Sequence, residues 1–131
     1  MQVLFVEDDA MNRRVVRDML KVVGTDMEEA PEAETGLRLL ATRKYDIVLM
    51  DLRMPGMDGL TAIKLLREGT GPNRDVPVIV VTADTAVDLR ERCFAAGADE
   101  VIVKPVAMAA LLDAMGRLAA RDAEDDDFTL S

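Results

Sequence analysis

Five residues whose side chains could take part in chemistry each follow a short apolar run: Glu7, Asp8, Asp51, Thr82 and Lys104. Three carboxylates that converge on one crevice repel one another, and a hard divalent cation would neutralise that repulsion. Two or three protein oxygens completed by water are typical of Mg2+. A lysine charge and a hydroxyl group beside the ion would neutralise the equatorial oxygens of a phosphoryl group. Asp51 would then be the nucleophile that forms an acyl phosphate.

Strand-like apolar runs alternate with predicted helices five times along the chain. The runs lie at residues 3–6, 27–30, 47–50, 78–81 and 101–103, and the fourth helix is expected at about 86–96. This alternation predicts an α/β fold with a parallel sheet covered on both faces and right-handed crossovers. Ligands bind at the carboxyl edge of such a sheet, where the five residues are expected to lie. Asp9 is expected to cap the first helix.

Composition predicts one soluble, cytoplasmic domain. The chain has 131 residues and one cysteine, Cys93, which permits no internal disulfide and fits a reducing compartment. The net charge of −9 argues against direct DNA binding, which requires basic surface. No apolar run approaches the ~20 residues that span a bilayer. We expect residues 1–120 to form the domain and residues 121–131, which lack helical periodicity, to form a mobile acidic tail.

Four motifs follow one another in order along the predicted domain. They are Glu7-Asp8, the segment 50–59 with the sequence Met-Asp-Leu-Arg-Met-Pro-Gly-Met-Asp-Gly, Thr82-Ala83 and Lys104-Pro105. Through them residues 2–119 resemble the receiver domain of bacterial two-component and phosphorelay response regulators, and in particular single-domain regulators of the chemotaxis type. The resemblance implies a flavodoxin-like, doubly wound (βα)5 fold with strand order 2-1-3-4-5.

The resemblance also implies a phosphoacceptor and a metal site. Asp51 would accept a phosphoryl group from a histidine of a sensor histidine kinase or a histidine phosphotransfer protein. Mg2+ would be bound directly by Asp8, Asp51 and the backbone carbonyl of Arg53. Glu7 would assist through water.

The two remaining motifs would hold the transferred group. By the resemblance, Thr82 would form a hydrogen bond to a phosphoryl oxygen and Lys104 would pair with it. Ala83 would stay small and offer its N–H group. The Lys104-Pro105 peptide bond is expected to be cis.

Two features depart from the family pattern. Family members usually carry Tyr or Phe three residues before the lysine, where the ring couples phosphorylation to the output face, but here the residue is Val101. In the family the aromatic ring rotates inward, which a valine side chain cannot do. We therefore expect signalling to depend on Thr82 and the loop after the fourth strand. Arg53 and Asp84 lie at positions that in the family tune how water reaches the acyl phosphate. If they form an ion pair across the site, they would shield it.

The expected output is a protein contact through the fourth helix, fifth strand and fifth helix, since only the acidic segment follows the last helix. The protein would then be a stand-alone phosphoacceptor that signals by contact or acts as a phosphorelay shuttle or sink. It would catalyse only its own phosphorylation and dephosphorylation. A receiver excised from a hybrid kinase stays an alternative because of Asn12-Arg13-Arg14, whereas Met1 directly before the first strand favours the free-standing form.

Two other classes of protein would place similar residues at strand ends. An aspartate-nucleophile phosphatase of the haloacid dehalogenase type needs a second acid two residues after the nucleophile, and here that residue is Arg53. A guanidinium cannot act as a general acid at neutral pH. A pseudo-receiver, which binds without being phosphorylated, is disfavoured because Asp8, Asp51, Thr82 and Lys104 are all present.

Overall fold

The computed structural model describes the backbone of residues 1–130 and the side chains of residues 1–121. Its strands are β1 (Gln2–Val6), β2 (Asp26–Ala30), β3 (Ile47–Asp51), β4 (Val78–Thr82) and β5 (Glu100–Val103). They alternate with the helices α1 (Ala10–Val22), α2 (Ala33–Thr42), α3 (Gly59–Glu68), α4 (Leu89–Ala96) and α5 (Met108–Leu130). Neighbouring strands are parallel, and the order β2-β1-β3-β4-β5 confirms the predicted flavodoxin-like fold.

The sheet has an apolar core on each face because its central strands are buried on both sides. Every residue of β3 and β4 is buried. Successive side chains of a strand point to opposite faces, so one run supplies both cores. Val48 and Val80 pack beneath α2, α3 and α4, whereas Leu49 and Val81 pack beneath α1 and α5. The apolar runs of the sequence thus fix the sheet that carries the polar residues at its edge.

Two aspartates fix where helices begin next to this edge. The side chain of Asp9 accepts the backbone N–H groups of Met11 at 2.8 Å and Asn12 at 3.3 Å, which confirms its predicted capping role in α1. Asp58 accepts the N–H of Thr61 at 2.8 Å at the start of α3. Each cap satisfies backbone donors that the first turn of a helix leaves unpaired.

Two helix boundaries differ from the prediction. α4 begins at Leu89 rather than near Ala86, because the intervening residues form a turn in which the N–H of Leu89 donates to the carbonyl of Ala86 at 3.1 Å. α5 continues past residue 120 to Leu130. The side chains of residues 122–130, and Ser131, lie outside the described residues, so the mobile acidic tail stays a prediction. In the part of the chain that the structure describes, no helix is both long and apolar enough to cross a membrane.

Candidate functional site

Three carboxyl groups meet at the carboxyl edge of the sheet, where β1 and β3 lie side by side. Asp51 is the last residue of β3 and is 4% exposed, while Glu7 directly follows β1 and is fully buried. Asp8 is the exposed member of the group. One carboxylate oxygen of each residue lies within 4.8 Å of the other two. The structure therefore brings together the three acids that the sequence singled out.

Lys104, directly after β5, reaches these acids from a distant part of the sequence. Its Nζ atom lies 2.6 Å from Oε1 of Glu7 and 3.3 Å from Oδ1 of Asp51. Partial burial lowers the pKa of Lys104, but the hydrogen bond to Glu7 and the charges of both carboxylates outweigh it, so that the pKa lies above its usual value. The lysine is therefore held as a cation beside Asp51. The peptide bond from Lys104 to Pro105 is cis.

Glu7 is buried, and the positive charge of Lys104 offsets only part of the cost of burying its negative charge. Burial raises the pKa of Glu7, and the neighbouring Asp51 raises it further, by more than Lys104 lowers it. Oε1 of Glu7 accepts a hydrogen bond from Nδ2 of Asn12 at 3.0 Å. Oε2 is buried and has no hydrogen-bond partner among the described residues. Such an oxygen is costly to leave unpaired. Glu7, Asp8 and Asp51 together offer carboxylate oxygens that fit a hard divalent cation such as Mg2+.

The turn after β3 folds back tightly on that strand. The N–H of Gly59 donates to the carbonyl of Leu52 at 3.0 Å. A Cβ atom at Gly59 would lie 2.2 Å from the backbone carbonyl oxygen of Asp51 and 2.9 Å from the Cα atom of Leu52. Since real Cβ atoms do not approach backbone so closely, only glycine lets α3 begin at this point.

The loop after β4 lies on the other side of the site. Thr82 ends β4 and is buried, and the next residue, Ala83, is exposed. Oγ1 of Thr82 accepts the N–H of Asp84 at 3.1 Å. Asp84 accepts the N–H of Ala86 at 2.9 Å and the guanidinium of Arg53 at 3.1 Å, and these two hydrogen bonds, that of Ala86 first, lower its pKa. The ion pair of Arg53 and Asp84 therefore joins the loops that follow β3 and β4.

Val101 lies on β5, three residues before Lys104. Its side chain is buried in the core beneath α4, where Cys93 belongs to the same cluster. Burial raises the pKa of the Cys93 thiol, which agrees with a packing role.

Two residues of α1, neither of them predicted to belong to the site, support Glu7. Asn12 holds the Glu7 carboxylate, and Nη1 of Arg13 donates to the Glu7 backbone carbonyl at 2.7 Å. Arg13 also bonds the carboxylate of Glu29 on β2 through Nε at 3.2 Å. Their position in the first turn of the helix that follows Glu7 and Asp8 was the available signal, because such residues face back toward the preceding strand end.

The sequence profile of the response regulator receiver domain family matches residues 3–116, which is most of the chain. The chain belongs to this family. Receiver domains bind Mg2+ in their acidic site and interact with histidine kinases or phosphotransfer proteins. This receiver domain has such a cluster of acidic residues, formed by Glu7, Asp8 and Asp51.

Curated relatives of this receiver domain include both kinases and regulators. It is 37% identical over 119 residues to the sensor histidine kinase AruS of Pseudomonas aeruginosa, covering 90% of this chain and 12% of the kinase. It is 37% identical over 125 residues to the response regulator MprA of Mycolicibacterium vanbaalenii, covering 95% of this chain and 53% of the regulator. The chain thus spans only part of these relatives.

Solved receiver structures show the same fold. The receiver domain of the Francisella response regulator 1452 superposes with a TM-score of 0.84 at 26% identity, covering 92% of this chain and 98% of the other. The receiver domain of the sensor histidine kinase PA1611 from Pseudomonas aeruginosa superposes with a TM-score of 0.82 at 31% identity, covering 91% and 97%. That structure is described with a magnesium ion coordinated in its active-site cleft.

Proposed function

We propose that this receiver domain accepts a phosphoryl group on Asp51 from a phosphohistidine of a sensor kinase or phosphotransfer protein, in a reaction that requires Mg2+. The observation that carries the proposal is the position of Lys104, whose ammonium group lies 3.3 Å from Oδ1 of Asp51. A fixed cation beside a carboxylate neutralises the oxygens of a phosphoryl group that is transferred to that carboxylate.

Transfer requires Asp51 to act as a nucleophile. A carboxylate oxygen of Asp51 attacks the phosphorus atom, and the new O–P bond forms as the N–P bond of the donor breaks. The electron pair of that bond goes to the ring nitrogen, so that a donor ring protonated on its other nitrogen leaves as neutral imidazole. Lys104 neutralises one phosphoryl oxygen, while the hydroxyl of Thr82 and the N–H of Ala83 bind the others.

The acids around Asp51 would hold the metal ion. Asp8, Asp51 and the backbone carbonyl of Arg53 would bind Mg2+, and Glu7 would assist through water. When bound, the ion neutralises charge on the acids and on the incoming phosphoryl group. Oε2 of Glu7, which is buried and has no partner within the described part of the chain, supports this assignment, because a cation or its water would satisfy it.

The signal would leave the domain by protein contact through α4, β5 and α5, or the domain would act as a phosphorelay shuttle or sink. That face exposes Phe94 and Val103. The only reactions catalysed would be the domain's own phosphorylation and dephosphorylation. The same chemistry would serve a receiver within a longer hybrid kinase, a reading that the kinase relatives support.

Intact mass after incubation with acetyl phosphate tests the proposal. Wild type with Mg2+ is expected to gain one phosphoryl group, about 80 Da. Wild type in EDTA and the Asp51→Asn variant with Mg2+ are expected to gain nothing. Asp18→Asn, which changes an exposed aspartate of α1, is the matched control and should be phosphorylated like wild type. Absence of any gain in wild type, together with no binding of beryllofluoride, would instead establish a pseudo-receiver.

A further inference from the structure

Glu100 joins three elements of the face through which the signal would leave. Its Oε1 accepts the guanidinium of Arg90 from α4 at 3.3 Å, and its Oε2 accepts that of Arg117 from α5 at 3.1 Å. Oε1 also accepts the N–H of Val101 at 3.1 Å, and Arg90 donates to the carbonyl of Val101 at 3.4 Å. We call these four residues the Glu100 clip.

The carboxylate of the clip stays charged at neutral pH. Partial burial alone would raise the pKa of Glu100, but the hydrogen bonds from the Val101 N–H, Arg117 and Arg90 outweigh it, and the pKa lies below its usual value. The ionised group therefore holds a guanidinium on each side. It connects α4 to α5 across the edge strand β5.

α4 has few apolar contacts that could fix its position without the clip. The helix has eight residues, and only Leu89, Cys93 and Ala96 are buried. Phe94 is 42% exposed, and the guanidinium carbon of Arg90 lies 5.3 Å from the centre of its ring. An element with so few buried side chains has low local stability, so its polar contacts carry much of its positioning.

Hydrogen bonds within the β4–α4 loop connect the start of α4 to the carboxyl edge of the sheet, where Asp51 lies. The N–H of Leu89 donates to the carbonyl of Ala86 at 3.1 Å, and the N–H of Ala86 donates to Asp84 at 2.9 Å. In the proposed function Thr82 and Ala83 bind the phosphoryl group, so a movement of this loop toward Asp51 would displace the first turn of α4, which carries Arg90. Within the clip, Arg90 lies 3.3 Å from Glu100 and 3.4 Å from the carbonyl of Val101, which is long for hydrogen bonds from a guanidinium, so such a displacement breaks these two contacts first.

We propose that the Glu100 clip couples phosphorylation to the α4, β5 and α5 face, holding α4 in the unphosphorylated position and opening when Asp51 carries a phosphoryl group. This inference rests on the proposed function of Asp51. Val101 has no aromatic ring that could rotate inward and link Asp51 to this face. The Glu100 clip would provide that link instead. Because linkage between two sites is reciprocal, a clip that opposes the phosphorylated state also weakens binding of a phosphoryl mimic.

Two variants that open the clip test the coupling. Glu100→Gln keeps the shape of the side chain without its charge, and Arg90→Met keeps the stem over Phe94 without the guanidinium. Arg92→Met is the matched control, since Arg92 lies on the same helix but pairs at 3.3 Å with Asp88, outside the clip. For each variant we would measure the dissociation constant of beryllofluoride in Mg2+ and the amide hydrogen exchange of residues 89–96 in the free protein.

Both clip variants are expected to bind beryllofluoride more tightly than wild type, by about two- to fivefold because exposed ion pairs are weak. Their α4 amides should exchange faster, and Arg92→Met should match wild type in both measurements. If wild type is phosphorylated and binds beryllofluoride but Glu100→Gln binds with unchanged affinity, the coupling is wrong and the proposed function stands. If wild type takes neither the phosphoryl group nor beryllofluoride, the proposed function and the coupling both fail.

Discussion

Replacing Lys104 by methionine tests whether the lysine offsets the buried acids of the site. Nζ of Lys104 lies 2.6 Å from Glu7, which is fully buried, and 3.3 Å from Asp51. Methionine preserves most of the apolar stem but removes the charge. Lys104→Met therefore leaves two adjacent buried carboxylates with no cation bonded to them.

The size of the effect follows from burial. Removing one partner of a buried ion pair costs about 3–5 kcal/mol of unfolding free energy. The side chain of Lys104 is 19% exposed and Glu7 can take up a proton, so we expect the lower end, about 3 kcal/mol, in EDTA at neutral pH. For a domain of this size that corresponds to a melting temperature lower by roughly 10 °C.

The pH dependence of the unfolding free energy provides a second, independent test of the same reasoning. The folded-state pKa of Glu7 is already raised, so the folded state holds a proton that the unfolded state releases. Stability therefore falls as pH rises from the unfolded-state pKa to the folded-state pKa, and the full cost applies above that window. Without Lys104 the folded-state pKa rises further. Lys104→Met should thus regain stability as the pH is lowered from about 7.5 to 5.5, more than wild type does.

Urea unfolding in EDTA and in saturating Mg2+ is the assay. Mg2+ should stabilise Lys104→Met more than wild type, because the ion replaces the missing positive charge. Lys44→Met is the control, since Nζ of Lys44 donates to the carbonyl of Pro72 at the opposite edge of the sheet. A variant within about 0.5 kcal/mol of wild type in EDTA, a difference typical of surface substitutions, would refute the reasoning.

Three further predictions concern other parts of the domain. Burial and a hydrogen bond to Glu28 raise the pKa of Tyr45, the one tyrosine of the sequence, to about 12. Wild type should therefore lose about 1.4 kcal/mol of unfolding free energy between pH 9 and pH 11, whereas Tyr45→Phe should not. Urea unfolding at both pH values measures the difference. Gly59→Ala should destabilise the domain by about 2 kcal/mol in urea, since its Cβ meets backbone at 2.2 Å, whereas Gly116→Ala, whose Cβ meets nothing within 4 Å, should not. Arg53→Ala opens the pair with Asp84 and should shorten the lifetime of the phosphorylated protein by intact mass; an unchanged or longer lifetime would discard the shielding role.

Most of the fold could be predicted because apolar periodicity is local information. The continuous run Val78–Thr82 is buried on both faces, as its composition indicates. The weak strand β2 is present although it is acidic, because its side chains find basic partners on neighbouring elements. Glu28 pairs with Arg43, and Glu29 pairs with Arg13 and Arg17. These pairings depend on the folded arrangement, so the local sequence pattern of β2 only weakly indicates a strand.

The parts of the structure that the sequence missed are polar contacts between distant residues. Asn73, in the loop before β4, is fully buried, and its side chain accepts the N–H of Tyr45 at 2.9 Å and donates to the carbonyls of Leu40 and Arg43. Nothing in the local sequence distinguishes this asparagine from an ordinary turn residue. The start of α4 was missed for the same reason, since Asp84 organises the turn that precedes it. Strand ends could be aligned from the sequence, but the bonds between their side chains could not.

The group of acids at the carboxyl edge of the sheet is difficult to explain by stability alone. A fold selected only for stability would not leave Glu7 fully buried with its pKa raised and with one oxygen that has no partner among residues 1–121, because an amide or an apolar side chain there would avoid that cost. The neighbouring elements nevertheless hold it in place: Asn12 bonds its carboxylate, and Gly59 lets α3 begin against Asp51. A buried acid with a raised pKa at a crevice is typical of a site that binds a ligand. In the proposed function, a cation and a phosphoryl group bound at this edge would offset the cost of burying Glu7 there.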